Sequence, residues 1–141
     1  MKKNKVNSYI KGMGYYVPDQ IIKNSYFTDF MDTSDEWIRE RTGIKERRFA
    51  SQNQGPSDLA IPAVEMALDN AKLTTNDIDF IIFATSTPDY YIPGSGCLIQ
   101  EKMQFNNIGA LDIRCQCSGF IYAISIADQY VQTQTYTNIL I

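Results

Sequence analysis

The sequence predicts an α/β fold in which helices are layered on a mainly parallel β-sheet. Three observations predict it. The run IDFIIFAT, Ile78 to Thr85, is nearly continuous in apolar residues, as in a strand covered on both faces. Strand-like and helix-like patterns alternate along the chain in the order β, α, α, β, α, β, α, β. The stretch after Ser118-Gly119 has helical spacing, yet its Phe120, Ile121, Ile124, Ile126, Ala127 and Val131 leave almost no polar face.

The elements follow in order. YIKGMGYYV, Tyr9 to Val17, reads as a first strand in which Gly12 and Gly14 mark a bulge or close packing. TSDE opens a helix, with Thr33 and Glu36 at the spacing of a capping box, and Gly43 closes it. The linker SQNQGPS leads to a helix predicted from Asp58 to Lys72, capped by Ser57 and kinked or delayed by Pro62. Its Ala60, Ala63, Val64, Ala67 and Ala71 form a small-residue face suited to close packing. After IDFIIFAT, a loop carries Pro88, Pro93, Gly94 and Gly96. A helix near Gly96 to Met103, a strand at Ala110 to Cys115 and the apolar helix follow. The last residues, YTNILI, read as the start of another buried strand.

Composition excludes several function classes. At 141 residues with 44% hydrophobic content and 21% charge, the chain suits one sizeable core. Thirteen Lys and Arg against 16 Asp and Glu give a net charge of -3, with no global attraction for nucleic acid or an anionic membrane. No apolar run approaches the ~18 residues of a membrane span, and MKKNKVNSYI lacks the apolar segment of a signal peptide. The expected location is the cytoplasm, where thiols stay reduced. Three Cys and no His fall short of the four ligands of a structural zinc, so no metal is expected. A Cys115–Cys117 bridge would close a strained ring and leave Cys97 odd.

The thiols therefore divide between core residue and nucleophile. Strand alternation places Cys115 on the face of Leu111 and Ile113, in the core. Cys117 falls after the strand and just before Ser118-Gly119. A buried helix starting there would aim its amide ends at the sulfur, and Gly119 would leave room for a substrate. The residues alone leave open a partly buried structural thiol or a nucleophile. Trp37 and Arg41, four apart on a helix, could stack a base and meet a phosphate; a core tryptophan covered by an arginine is the other reading. Arg39, Arg41, Lys45, Arg47 and Arg48 concentrate positive charge and suit a solvated surface.

Three segments together carry a resemblance: DTSDEWIRERTGIKERR, IIFATSTPDYYIPGSGC and CSGFIYAISIADQYV. They resemble the amino-terminal half of β-ketoacyl-acyl-carrier-protein synthase III, a thiolase-related condensing enzyme, in order along nearly the whole chain. The resemblance implies a thiolase-like layered α/β fold built from two duplicated halves. Residues 1–141 would be the first half, truncated before the second, of an enzyme that is usually a homodimer. Residue by residue, Cys117 matches the acyl-accepting nucleophile. Trp37 and Arg41 match contacts to the adenine and phosphate end of coenzyme A, and Thr33 a further contact near the adenine.

The implied reaction transfers an acyl group from acyl-coenzyme A, a substrate rather than a resident cofactor, to Cys117. Decarboxylative condensation with malonyl-acyl carrier protein follows and starts fatty-acid synthesis. The family completes its site with a His and an Asn from the second half, so this chain alone is expected to be inactive. Ile92 stands where several family members place an aromatic side chain in the acyl pocket of the partner subunit, so strict acetyl preference is not implied. The other readings are a thiolase-fold acyltransferase loading starter units for polyketide or quinolone synthesis, and a non-catalytic half-domain that binds coenzyme A or carrier protein.

Overall fold

The structure, a computed structural model, describes residues 6–141; the first five residues of the stretch read for a signal peptide lie outside it. The chain forms two compact units: Val17–Gln54, and a larger one made of the residues through Tyr16 with Gly55–Ile141. Among the described residues, no helix is long and apolar enough to cross a membrane.

The larger unit is built on three parallel strands. β3 (Phe80–Ala84) lies between β4 (Gly109–Ile113) and β5 (Ile139–Leu140), with Phe80 opposite Gly109 on one side and Ile139 on the other. Alternation along β3 feeds two cores. Ile81 packs with Val64 and Leu68 of α3 (Pro56–Ala71) and Ile99 of α4 (Ser95–Lys102). Phe80 and Ile82 pack with Ala123 and Ala127 of α5 (Gly119–Gln132). Ile81 and Ile82 are each 1% exposed, and burying each contributes roughly 1.5–3 kcal/mol. The apolar run IDFIIFAT therefore forms the central strand, as its composition predicts.

The topology fixes which helix lies where. The chain steps from β3 to β4 through α4, then returns past β3 to β5 through α5. Parallel crossovers are right-handed, so reversing the direction of travel puts α4 and α5 on opposite faces. The two loops leaving the carboxyl ends of β3 and β4 consequently diverge. They open the kind of crevice in which α/β sheets hold ligands.

Several expectations shift in detail. The stretch Tyr9–Val17 makes no ladder with any described strand, although residues 11–18 alternate between exposed and half-buried as a strand would. Its glycines do serve close packing. A Cβ on Gly12 would stand 2.4 Å from the Ala67 carbonyl oxygen, and one on Gly14 would stand 2.0 Å from that of Ala63. The segment beds directly on the small-residue face of α3. That helix begins two residues earlier than expected, with Pro56 in its first turn and Pro62 carried within it. Ser57 is not its cap but a fully buried first-turn residue, because its hydroxyl is drawn to Asp89.

The smaller unit pairs β1 (Gln20–Lys23) antiparallel with β2 (Glu46–Phe49), a ladder the sequence reading does not contain. Between them lie a single helical turn, α1 (Ser25–Thr28), and α2 (Asp35–Thr42). Helix α2 ends as expected: Gly43 adopts φ 73° and donates to the Arg39 carbonyl. It starts one residue later than the capping box implies. Ser34, in extended conformation, accepts from the Trp37 amide at 3.0 Å, and the Thr33 hydroxyl oxygen is left buried without a hydrogen bond among the described residues.

Candidate active site

On one bank of the crevice, β4 stops at Ile113, two residues short of the prediction. The backbone then turns through a 3₁₀ segment, Gln116–Ser118, into α5. Cys115 starts this turn, so strand alternation no longer applies to it. It is half-buried rather than part of the core beside Leu111 and Ile113. Gln116 holds φ 39°, a left-handed conformation costing about 1–3 kcal/mol in a residue with a side chain. The next residue is Cys117, exposed at the head of the 14-residue α5. A non-glycine residue strained beside a reachable thiol is a signal that sequence reading could not supply.

Helix α5 is covered less than its composition suggests. Its sheet-facing stripe is Gly119, Ala123 and Ala127, while Phe120, Ile121 and Tyr122 are 56%, 62% and 51% exposed. A Cβ on Gly119 would meet Ala84 at 3.4 Å, ordinary contact distance. The bare face of this glycine is therefore turned to the carboxyl end of β3, where a methyl group would fit, rather than to an incoming substrate.

The opposite bank is the loop from β3 to α4, and its two ends are fastened by a polar network. The Asp89 amide donates to the Ser95 hydroxyl at 3.2 Å, closing the loop on itself. The Asp89 carboxylate accepts from the Ser57 hydroxyl at 2.7 Å and the Ser57 amide, and Lys102 donates to Ser57 at 2.7 Å and to Asp58 at 2.5 Å. Asp112 of β4 accepts from the amides of Ser95 and Gly96 at 2.6 and 2.9 Å. Between the fastened ends, Tyr90, Tyr91 and Ile92 are exposed, and the Tyr91 ring packs on the Arg114 guanidinium at 4.6 Å. Arg114 belongs to the Cys117 bank, so this contact spans the crevice. The network joins residues 32 and 45 positions apart, beyond any local motif.

The same network gives a pH dependence. Burial pushes the Asp89 carboxyl up, but hydrogen bonds from Ser57 and Ser95 outweigh it and hold it below its ordinary 3.8. The Lys102 ammonium, then the Gly55 amide, do the same for Asp58. Both folded values are depressed, so the stability they contribute is complete above the ordinary carboxylate range and is lost as pH falls through the folded values. The melting temperature is expected to drop on acidification from about pH 5 to about pH 3, less steeply in Asp89→Asn. Identical slopes would remove Asp89 from this role.

In the smaller unit, Trp37 is 54% exposed and the Arg41 guanidinium lies 5.8 Å from its ring centroid. The core-tryptophan reading does not hold. The basic run divides: Arg47 donates to Asn24 and stacks on Phe27 at 4.4 Å, Arg48 donates to the Pro18 and Asp19 carbonyls, and Lys45 is exposed. Thr33, Trp37 and Arg41 belong to this unit and Cys117 to the other. Cys97 is also exposed, in the first turn of α4, so exposure alone does not choose between thiols. Of two shallow surface hollows, one is lined by Cys97, Gln100 and Phe105 and the other by Asp79, Gly109 and Tyr136, and neither includes Cys117.

Comparison with known proteins bears out the resemblance. The profile of the family described as 3-Oxoacyl-[acyl-carrier-protein (ACP)] synthase III matches residues 111–141. The Beta-ketoacyl-[acyl-carrier-protein] synthase III of Fusobacterium nucleatum is 49% identical over 132 residues, covering 94% of this chain and 40% of that protein. The solved 3-oxoacyl-[acyl-carrier-protein] synthase III from Aquifex aeolicus VF5 superposes with a TM-score of 0.87 at 39% identity, over 96% of this chain and 42% of that one. The priming beta-ketosynthase of the R1128 polyketide biosynthetic pathway superposes with a TM-score of 0.88 at 28% identity, over 96% and 41%. The chain spans about two-fifths of the length of the curated relatives it matches. The α/β layered fold predicted from the sequence is the fold of these synthases.

Proposed function

We propose that the chain is the amino-terminal part of a 3-oxoacyl-[acyl-carrier-protein] synthase III, an acyltransferase whose acyl-accepting nucleophile is Cys117. The observation that supports this most is the placement of Cys117: exposed, on a strained turn, at the carboxyl end of a parallel sheet, inside the segment that the family profile matches. In the proposed first step the Cys117 thiolate attacks the thioester carbonyl of acyl-coenzyme A. The carbon–sulfur bond to coenzyme A breaks, coenzyme A leaves as its thiolate, and the acyl group remains on Cys117. The Cys117 amide would supply one donor to the oxyanion.

In the second step malonyl-acyl carrier protein loses carbon dioxide, and the resulting enolate attacks the Cys117 thioester, releasing 3-oxoacyl-acyl carrier protein and the free thiol. The chain has no histidine, so the donors that stabilise the decarboxylation belong to the remainder of the enzyme. Thr33, Trp37 and Arg41 are proposed to hold the nucleotide end of coenzyme A. A cytoplasmic homodimer, as in the family, completes the reading. The similarity to the R1128 priming ketosynthase favours one further reading, an enzyme that loads starter units and hands them to a different acceptor.

One experiment separates these. The complete enzyme is incubated with acyl-coenzyme A, then with malonyl-acyl carrier protein, and peptides and products are followed by mass spectrometry. The proposal expects the acyl mass on the Cys117 peptide, then 3-oxoacyl-acyl carrier protein. A limiting dose of iodoacetamide should label Cys117 ahead of Cys97. An acylated Cys117 that never condenses with malonyl-acyl carrier protein would favour the starter-loading enzyme. Coenzyme A binding without any acylation would leave a binding module.

A further inference from the structure

Asn24 follows β1 at the position that caps α1, yet its side chain makes no cap and turns inward, 1% exposed. That one amide reaches three residues. Its Nδ2 donates to the Asp35 carboxylate at 2.8 Å and to the Ile44 carbonyl at 2.8 Å, and its oxygen accepts from the Arg47 guanidinium at 3.1 Å. Asp35 is the first residue of α2, and Ile44 follows the glycine that ends it. A single side chain therefore ties down both ends of the helix and joins them to β2.

The helix has little else to place it. None of its eight residues is buried, so apolar packing, which normally fixes the position of a surface helix, contributes little here. Asparagine is also the side chain that suits the job. Its amide offers two donors and an acceptor together, whereas aspartate would lose both donations and face Asp35 with a like charge.

We propose that Asn24 is a positioning residue for coenzyme A: through Asp35 and Ile44 it sets where α2 presents Trp37 and Arg41. The proposal rests on the reading of α2 as the coenzyme A platform. It names a residue buried away from any ligand, whose influence is confined to the nucleotide end of the substrate.

The test compares acyl-coenzyme A with acyl-pantetheine, which carries the same thioester without the nucleotide, on the complete enzyme. In Asn24→Ala the KM for acyl-coenzyme A is expected to rise about tenfold, as for one net hydrogen bond to a charged group, with kcat little changed. Turnover of acyl-pantetheine should match the parent enzyme, a split that general destabilisation would not produce. Trp37→Ala serves as the reference. If it raises the KM while Asn24→Ala does not, the positioning role fails and the platform reading survives; if neither does, the platform reading fails and takes the proposal with it. Equal losses with both donors would reduce Asn24 to general support of the fold. Should Asn24→Ala not fold, Asp35→Ala removes the link at the start of α2 together with the Arg39 pair, Arg39→Ala controls for that pair, and a KM in Asp35→Ala no higher than in Arg39→Ala overturns the proposal.

Discussion

Replacing Cys117 with alanine is expected to slow acyl transfer from acyl-coenzyme A by about a thousandfold or more, a loss of at least ~4 kcal/mol of transition-state stabilisation. Alanine has no atom that can form the thioester, so the two-step route through a covalent intermediate is closed. The other thiols offer no substitute. Cys115 is half-buried at the start of the turn, and Cys97 lies on α4, among the residues of a separate surface hollow. Coenzyme A affinity should be retained, because Trp37 and Arg41, its proposed seat, are untouched. Rapid-quench measurement of acyl incorporation decides the matter. A rate within tenfold of the parent enzyme, with the acyl group on Cys97, would take the nucleophile's role from Cys117.

Arg41→Ala is expected to weaken coenzyme A binding by about 1–3 kcal/mol, roughly five- to 150-fold, the range for losing a charge-assisted hydrogen bond to phosphate. The geometry explains why Arg41 rather than Arg39 should matter. Arg39 is engaged with Asp35 at 3.2 Å, whereas among the described residues no carboxylate pairs with Arg41. Its 5.8 Å approach to the Trp37 ring is at the outer reach of a cation–π contact, so the guanidinium stays available for a phosphate. Arg39→Ala should cost far less, since its pair is half-exposed and such pairs contribute little. Calorimetry on the complete enzyme measures both. Equal affinities for the parent and Arg41→Ala would mean that this face of α2 is merely solvated.

What could be read from the sequence follows from how local each signal is. The central strand is legible because burial on both faces demands a nearly unbroken apolar run, and IDFIIFAT has one. Gly43 is legible because only a residue without a Cβ adopts its conformation freely. The thiol at the head of α5 is legible from its place between a strand pattern and a helix pattern. The pairing of β1 with β2 is not, because ERRF offers charges where a strand reading looks for alternation, and only Ile22 and part of β2 are shielded. Nor is the extent of cover on α5, since composition does not say which face receives a neighbour. Asn24, Ser57 and Asp89 escape sequence reading for a shared reason: each spends its hydrogen bonds on residues distant along the chain. The left-handed Gln116 escapes because its side chain argues against the conformation it holds.

A helix with no buried residue has one more consequence for any ligand seated on it. The observed affinity is the intrinsic affinity reduced by the fraction of molecules in which the seat is formed. Were α2 wound only about one-tenth of the time, binding would weaken about tenfold with every ligand contact intact. The residues that close its ends, Ser34 through the Trp37 amide and Gly43 through the Arg39 carbonyl, thereby enter the binding constant as surely as the residues that touch the ligand. Affinity for a ligand held on such a helix can be tuned over a wide range by the winding equilibrium of eight residues, leaving every contact to the ligand unaltered.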